Sequence, residues 1–273
     1  MKVEQLLIEG NKYIKQNETK QLLASVLGYN TLELLNHLDE EVTSDKENKY
    51  REYIEKLLHH KPLQYIVGNV DFYGYEFDIN EEVLIPRFET EELVYNVINF
   101  IKKNLKGDLK VIDLGCGSGV IGITLYKEVP RLEVTCLDIS EEALKITKKN
   151  AKKLGANIRV QKGDMLDNIN EKFDVIVSNP PYIATNEEIE DIVKNNEPHL
   201  ALYAGNDGLD CYRKIFDKVN SVIKENFLIA LEIGYRQKND IIKLINDKME
   251  NVKIETFKDM SSRDRIIFVY RNK

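Results

Sequence analysis

The tetrapeptide Asn179-Pro180-Pro181-Tyr182 directly follows an apolar segment at residues 173–178. That segment has the length and composition of a short buried strand. Proline lacks a backbone N–H and has a fixed φ, so Pro180 and Pro181 cannot continue the ladder of a central strand. A plain turn more often contains Gly, Asp or Ser. The tetrapeptide is therefore either a rigid loop without a chemical role or a stiff site that grips a planar group between an amide side chain and an aromatic ring.

A second segment that could do chemistry, KVIDLGCGSGVIGI at residues 110–123, combines a strand, a glycine-rich loop and the start of a helix. Residues 117–122 match G-x-G-x-x-G, which occurs in dinucleotide sites. Asp113 argues against a dinucleotide, because a carboxylate is unhelpful where a helix N-terminus must face a pyrophosphate. The phrase from Asp113 to Gly119 instead resembles the loop of class I S-adenosylmethionine methyltransferases. The resemblance implies that the glycines let the backbone approach the methionine moiety and that the acid helps to hold its ammonium group. The cofactor residues expected in this loop are Asp113, Gly115, Cys116, Gly117, Ser118 and Gly119.

Two further acidic positions follow the next two predicted strands. Asp138 lies 19 residues after Gly119, where a carboxylate takes both ribose hydroxyls of either a dinucleotide or S-adenosylmethionine. Asp164 and Met165 follow the third strand, where methyltransferases commonly hold the adenine with an acid and an apolar neighbour. Parallel strands present their carboxyl ends at one edge of the sheet, near the switch point. The three sites in this order predict S-adenosylmethionine as the cofactor and S-adenosylhomocysteine as its product.

With that cofactor, the tetrapeptide at 179–182 resembles the [N/D]-P-P-[Y/F/W] motif of amino-methyltransferases. An amide or exocyclic NH₂ is planar and a poor nucleophile, so it must be held in place. The side-chain oxygen of Asn179 and the carbonyl of Pro180 can accept its two N–H bonds, and Tyr182 can pack on its flat face. Transfer then depends mainly on positioning and electrostatics. We expect Asn179, Pro180 and Tyr182 to be catalytic, Pro181 to join them in binding the substrate, and Asn179 also to border the cofactor. The motif alone does not distinguish among adenine-N6, cytosine-N4 and glutamine-amide substrates.

The rest of the chain must position these segments. Residues 1–62 are predicted to be a small helical domain, with a capping box at Ser44–Glu47 and a third helix near residues 32–38. Residues 63–85 are predicted to be a hairpin linker, since aromatic and β-branched residues alternate around two glycines from residue 64 onward. Residues 86–273 alternate helices and strands, which predicts a mainly parallel sheet covered on both faces. Two strands near 252–258 and 264–270, joined without a helix, predict an antiparallel edge.

Composition excludes several classes of protein. The formal net charge is −7, and residues 1–80 carry 9 Lys+Arg against 14 Asp+Glu. An acidic chain without a basic stripe is a poor candidate for duplex DNA, although its acidic N-terminal part either faces a basic protein or serves solubility. No apolar run is long enough for a membrane span, and the amino terminus lacks a signal peptide. Three widely spaced cysteines predict a reducing cytoplasm without a disulfide framework, and no metal site is expected.

A series of motifs along nearly the whole chain is similar to the HemK/PrmC family, the peptide chain release factor glutamine methyltransferases. The motifs are PLQYIVG at 62–68, FYG at 72–74, IPRFETE at 85–91, SNPPYI at 178–183, EP at 197–198, GNDGL at 205–209 and LEIG at 231–234. The resemblance implies a helical N-terminal domain that recognises the substrate, a hairpin linker and a Rossmann-like class I methyltransferase domain with a seven-stranded sheet. It also implies methylation of the glutamine side-chain amide in the GGQ motif of class I release factors. We expect a cytoplasmic monomer acting on a transient complex.

The sequence departs from the family pattern at two positions, and two other functions are alternatives to glutamine methylation. Phe88 replaces a proline usual in the family, and Met165 stands where some members have an aromatic residue; a thioether can also pack against adenine. A DNA or RNA adenine-N6 methyltransferase would share the tetrapeptide but needs a basic groove, which the charge does not predict. A binding protein that has kept the fold without catalysis is disfavoured by the intact Asn179 and glycine loop.

Overall fold

The architecture is described from a computed structural model over residues 1–272. The helices are α1 Val3–Gly10, α2 Gln16–Leu27, α3 Ser44–Leu58, α4 Leu63–Val67, α5 Phe88–Asn104, α6 Val120–Glu128, α7 Glu141–Leu154, α8 Asp191–Asn196, α9 Asp210–Val222 and α10 Lys238–Lys248, with 3₁₀ turns at Glu33–Asn36 and His199–Ala201. The strands are β1 Asn69–Phe72, β2 Tyr75–Asp78, β3 Leu109–Leu114, β4 Leu132–Asp138, β5 Arg159–Lys162, β6 Phe173–Ser178, β7 Ile223–Glu232, β8 Lys253–Lys258 and β9 Asp264–Arg271. The chain divides into two compact units, Met1–Asn69 with Glu190–Asn196, and Val70–Ile189 with Glu197–Lys273. The predicted linker 63–85 is thus divided between them.

The first unit is helical, as predicted. Its core contains Leu6, Leu22, Leu23 and Leu34, and Tyr50 is buried among them. Helices of this length are marginal alone, so burial of one apolar face supplies most of their stability.

Three local predictions in this unit were wrong. The N-cap of α3 is Thr43 rather than Ser44, and its side chain makes no capping hydrogen bond. The predicted third helix is a single 3₁₀ turn at Glu33–Asn36. Residues 64–67 belong to helix α4 rather than to the hairpin, because Ile66 packs into the helical core and Gly68, at φ +85°, ends the helix in a left-handed conformation. Packing overrode the local β-propensity of this short segment.

The second unit contains the predicted mainly parallel, seven-stranded sheet, with strand order β5-β4-β3-β6-β7-β9-β8. Strands β5, β4, β3, β6 and β7 are parallel, and β9 and β8 form the predicted antiparallel edge. Val111 points to the face covered by α5, α6 and α7, whereas its neighbour Ile112 points to the face covered by α9 and α10. Helices therefore shield both faces of the sheet from solvent, which explains why every residue of β6 is buried.

Strand β3 is the topological switch point. The chain continues from β3 to β4 and β5 on one side, then crosses over to β6 on the other. In open α/β sheets a ligand crevice forms at this point, outside the carboxyl ends of the strands. The glycine loop after β3 and the tetrapeptide after β6 consequently border the same crevice.

The hairpin β1–β2 is fastened to the glycine loop by one buried side chain. Asn150 accepts from the backbone N–H of Asp78 at 2.8 Å and donates to the carbonyls of Asp78 and Ser118, both at 2.9 Å. Asn150 is fully buried, so its three hydrogen bonds satisfy groups that water cannot reach. Over residues 1–272, no helix is long and apolar enough to cross a membrane.

Candidate active site

A cavity of about 410 Å³ lies at the carboxyl ends of the parallel strands in the second unit. This volume is in the range of small-molecule sites. It brings together most of the residues predicted for cofactor and substrate: Gly115, Cys116, Gly117, Ser118, Asp138, Asp164, Met165, Asn179 and Pro181. The predicted site residues Asp113, Gly119, Pro180 and Tyr182 are not among those that line it.

The glycines of the loop have different structural roles. Gly117 has φ +54°, and a Cβ built on it would meet nothing within 4 Å, so the cavity wall here is bare backbone. Gly119 has φ +82°, and a Cβ there would lie 2.9 Å from Ile123 and from Thr147. Gly117 thus lets a ligand approach the backbone, whereas Gly119 allows α6 and α7 to pack closely.

Asp113 lies beneath the loop rather than in the cavity. It is fully buried, its Oδ2 accepts from the N–H of Gly122 at 2.9 Å, and its Oδ1 has no hydrogen-bond partner among the described residues. Burial raises the pKa of this carboxyl to about 7, against the opposing effect of the Gly122 hydrogen bond. In this structure Asp113 supports the start of α6, and its predicted contact with the ammonium group stays a prediction.

Asp138 lines the cavity at the end of β4. Its Oδ2 accepts from the N–H of Gly117 at 2.8 Å, and its Oδ1 accepts from the N–H of Ser140 at 2.9 Å. Burial raises the pKa of Asp138, and these backbone donors oppose the rise. One carboxylate therefore fixes the glycine loop and the start of α7, and its remaining lone pairs can accept hydroxyl groups of a ligand.

The loop after β5 forms the next part of the wall. Met165 is 8% exposed, and its Cε lies 4.0 Å from the position of a Cβ on Gly115. Asp164 forms an ion pair with Lys214 of α9, and both residues line the cavity. This half-exposed lysine carries no motif that would have identified it from sequence. The carboxylate and thioether present a polar and an apolar group side by side, as an adenine ring requires.

Asn179 stands on the cavity wall directly after β6. Its side-chain Nδ2 donates to Oγ1 of Thr90 at 3.1 Å, and the Thr90 hydroxyl donates to Oε2 of Glu232 at 2.7 Å. The register Ser178↔Leu231 between β6 and β7 explains why Asn179 and Glu232 lie side by side at the carboxyl ends of these strands. Burial raises the pKa of Glu232 to about 7, and the Thr90 hydrogen bond and Arg265 oppose that rise.

Tyr182 is turned away from the cavity and packs against the core on the α9–α10 face. Its hydroxyl accepts a hydrogen bond from Nη1 of Arg265 at 3.4 Å, and its backbone oxygen accepts one from Nε2 of Gln237 at 2.8 Å. A Cβ on Gly208, which has φ +73°, would overlap that same carbonyl oxygen. Gln237 and Arg265, for which the sequence indicated no role, therefore fix the loop that carries Asn179, and Gly208 of the GNDGL motif leaves room for its backbone. The predicted stacking of Tyr182 on a substrate amide stays a prediction.

An ion pair between the buried Glu197 and the half-buried Arg87 joins two further segments beside the cavity. Glu197 is 5% exposed; its Oε1 accepts from Nη2 of Arg87 at 2.5 Å and its Oε2 from the N–H of Ile85 at 3.2 Å. The neighbouring Pro86 and Pro198 both line the cavity. These residues belong to the IPRFETE and EP motifs, whose separation in sequence could not show that they meet.

The lining fits the predicted cofactor. The bare backbone at Gly117, the carboxylate of Asp138 and the pair Asp164–Met165 follow the neighbouring strands β3, β4 and β5, in the order of an amino acid, a ribose and a base. Asn179 borders the same space. The described residues contain no cluster of His, Cys, Asp and Glu that could hold a metal ion.

Comparison with known proteins agrees with this geometry. Residues 78–201 match the family model described as the methyltransferase small domain, and residues 3–68 match the PrmC N-terminal domain. A release factor glutamine methyltransferase of Bacillus cereus is 37% identical, over 98% of this chain and 99% of its own. The enzyme of that name from Streptococcus pneumoniae is 40% identical, over 98% of each chain. Among solved structures, a methyltransferase from Pyrococcus furiosus has a TM-score of 0.55 at 16% identity, over 85% of this chain and 100% of that one, which shows likeness of fold.

Proposed function

We propose, from the premise that this chain belongs to the HemK/PrmC family of release factor glutamine methyltransferases, that Asn179 and Pro180 hold the amide group to be methylated. The chain is an S-adenosylmethionine-dependent methyltransferase, and it methylates the side-chain amide nitrogen of the glutamine in the GGQ motif of class I release factors. The single observation that carries the residue roles is the orientation of Asn179. Its NH₂ group is occupied by Thr90, so its oxygen remains to accept a substrate N–H.

The chain's own residues position the reacting groups. When bound, S-adenosylmethionine supplies an electrophilic methyl group on its sulfonium. The oxygen of Asn179 and the carbonyl of Pro180 accept the two N–H bonds of the glutamine amide, which holds the nitrogen with its lone pair facing the cavity. The same two oxygens stabilise the positive charge that develops on the nitrogen, and this charge is removed when the nitrogen releases one of its two N–H protons to solvent. Proline on both sides of this carbonyl restricts φ, so the acceptor is already oriented before the substrate arrives.

The cofactor roles are part of the same proposal. Gly115 and Gly117 leave room for the methionine moiety, Asp138 accepts the ribose hydroxyls, and Asp164 with Met165 borders the adenine. Support comes from the positions of these residues on one cavity wall. Tyr182 contributes by packing against the core on the α9–α10 face. The hydrogen bond that its hydroxyl accepts from Arg265 supports a fixed position of the ring.

We also propose that residues 1–62 recognise the release factor beyond its glutamine. The match of residues 3–68 to the PrmC N-terminal domain and the excess of acidic residues in this part support the idea. A cytoplasmic monomer fits a transient encounter with the translation machinery, and the three free cysteines fit a reducing compartment. We expect the KM for the release factor to rise with salt concentration and the KM for the cofactor to stay unchanged, because salt screens attraction between exposed charges.

The test incubates the purified chain and methyl-labelled S-adenosylmethionine with a release factor, with its GGQ→GGA variant, and with DNA. We expect label on the release factor and none on the variant or on DNA. Label on DNA without label on the release factor would overturn the proposed substrate and favour the adenine-N6 alternative.

A further inference from the structure

Thr90 connects the substrate-binding amide to a buried acid. It lies in the first turn of α5, is 2% exposed, and its single hydroxyl group contacts both Asn179 and Glu232. Glu232 is 1% exposed and reaches the hydroxyl at 2.7 Å. The three side chains therefore form one hydrogen-bonded chain that ends at the cavity wall.

The direction of hydrogen bonding along this chain decides which end of Asn179 faces the cavity. A carboxylate only accepts hydrogen bonds, so an ionised Glu232 takes the one hydroxyl proton of Thr90. Thr90 can then only accept from Asn179, which must present its NH₂ group to Thr90 and its oxygen to the cavity. Within residues 1–272 the oxygen of Asn179 accepts no hydrogen bond, so it is available to a ligand.

Protonation of Glu232 permits the opposite direction. A protonated carboxyl donates to Thr90, whose own proton then points toward Asn179. Asn179 must rotate its amide by half a turn to accept that proton, and its NH₂ group then faces the cavity. Two NH₂ groups, one from Asn179 and one from the substrate, would meet without an acceptor between them.

We propose that Thr90 and Glu232 are positioning residues, which act through Asn179 to keep its oxygen turned toward the glutamine amide. The inference rests on the proposed function and deepens it. It explains why a buried acid is placed behind the tetrapeptide loop although none of the described residues forms a salt bridge with it. The ionised form of Glu232 is the one that orients Asn179 productively.

The surroundings of Glu232 set the pH at which this orientation is lost. The groups that face it are Thr90, Glu89 and Arg87 around the start of α5, Arg265 of β9, Tyr182 of the tetrapeptide loop, and Tyr212 of α9, whose hydroxyl donates to the Glu232 carbonyl at 2.9 Å. Burial is the largest effect and raises the pKa of Glu232 to about 7, while Thr90 and the two arginines lower it. Below that pH the acid form prevails, so kcat at saturating cofactor falls as the pH drops through about 7. The substrate amide does not titrate in this range.

The first test removes the hydroxyl while keeping the shape of the side chain. Thr90→Val is expected to lower kcat about 10- to 100-fold, since one buried hydrogen-bond partner of Asn179 is lost. The Kd for S-adenosylhomocysteine stays within about twofold, which a general loss of structure would not allow. Thr90→Ser restores the hydroxyl and should recover most of the lost kcat. The matched control is Thr135→Val, because the buried hydroxyl of Thr135 has no partner among the described residues and lies away from the cavity.

The second test measures kcat between pH 6 and 8.5 with the release factor as substrate. The native chain and Thr135→Val should show the inflection near pH 7, whereas Glu232→Gln should have a flat profile because a glutamine does not ionise. Persistence of the inflection in Glu232→Gln, or equal kcat for Thr90→Val and the native chain, would overturn the inference. If the native chain itself places no label on the release factor, the proposed function fails instead, so the two failures are distinguishable.

Discussion

The two halves of the cavity are built in different ways. On the cofactor side, the important hydrogen bonds join residues close in sequence and use backbone donors: Gly122 to Asp113 over 9 positions, and Gly117 to Asp138 over 21. On the substrate side, side chains join distant segments: Thr90 lies 89 positions from Asn179 and 142 from Glu232. A local backbone loop forms wherever its strand and helix form. The orientation of one amide group instead requires that three separate segments be correctly packed.

The largest effect on kcat is expected for a substitution of Asn179, which contacts the substrate amide in the proposed mechanism. Asn179→Ala removes the acceptor for the substrate N–H and should lower kcat about 100- to 1,000-fold, as for loss of one oriented group that stabilises developing charge. Isothermal titration should show a Kd for S-adenosylhomocysteine within about threefold of the native value. An equal loss of binding and turnover would show that the two halves are not separable.

A backbone change behind the substrate side should have the next largest effect. Gly208→Ala places a Cβ on the carbonyl oxygen of Tyr182 and should displace the tetrapeptide loop, lowering kcat about 10- to 100-fold. Gly155→Ala is the matched control, since its φ of +65° carries similar backbone strain but a Cβ there meets nothing within 4 Å. Steady-state kinetics and thermal melts of both variants separate the clash from the strain. Similar losses of activity in the two variants would contradict the clash.

On the cofactor side, Asp138→Ala should change binding rather than chemistry. Loss of the proposed ribose acceptor, together with the anchor of Gly117, should raise the KM for S-adenosylmethionine about 10- to 100-fold. The kcat at saturating cofactor should remain within about threefold. An unchanged KM would remove Asp138 from the ribose site.

The smallest effect on turnover is expected for Asp113→Asn, because Asp113 lies outside the cavity. Its effect should be on stability. The folded pKa of about 7 exceeds the value of 3.8 for a free aspartate, so the folded state binds the proton more tightly and becomes less stable as pH rises from 4 to 7. The variant should lose much of this dependence and gain roughly 1–3 kcal/mol in free energy of unfolding at pH 7.5. Denaturant titrations at pH 5 and 7.5 measure the difference, and a variant that becomes less stable at pH 7.5 would contradict the sign.

The same contrast explains what could be predicted from sequence. Alternation of strands and helices predicts the sheet, and the glycine loop, Asp138 and Asn179 follow strands whose ends meet at one edge. The arrangement behind Asn179 could not be deduced, because spacing does not show that a helix start at Thr90 and a strand end at Glu232 come together. Helix α4 was also missed, since its local sequence favours a strand and its apolar residues are held in a helix by packing into the core of the first unit. Lys214 carries no local signal because its partner, Asp164, lies 50 positions away.

The three hydrogen bonds of Asn150 also make the hairpin a remote reporter of ligand binding. Asp78 does not line the cavity, yet its amide proton is held by the same side chain that holds the carbonyl of Ser118. Exchange of that proton with solvent requires a local opening that breaks the hydrogen bond from the Asp78 N–H to Asn150. A ligand that binds only the closed glycine loop suppresses this opening by a factor of 1 + [L]/Kd, which is about 100-fold at a concentration of 100 Kd. The exchange rate of one proton on the hairpin thus measures cofactor occupancy without any probe in the cavity.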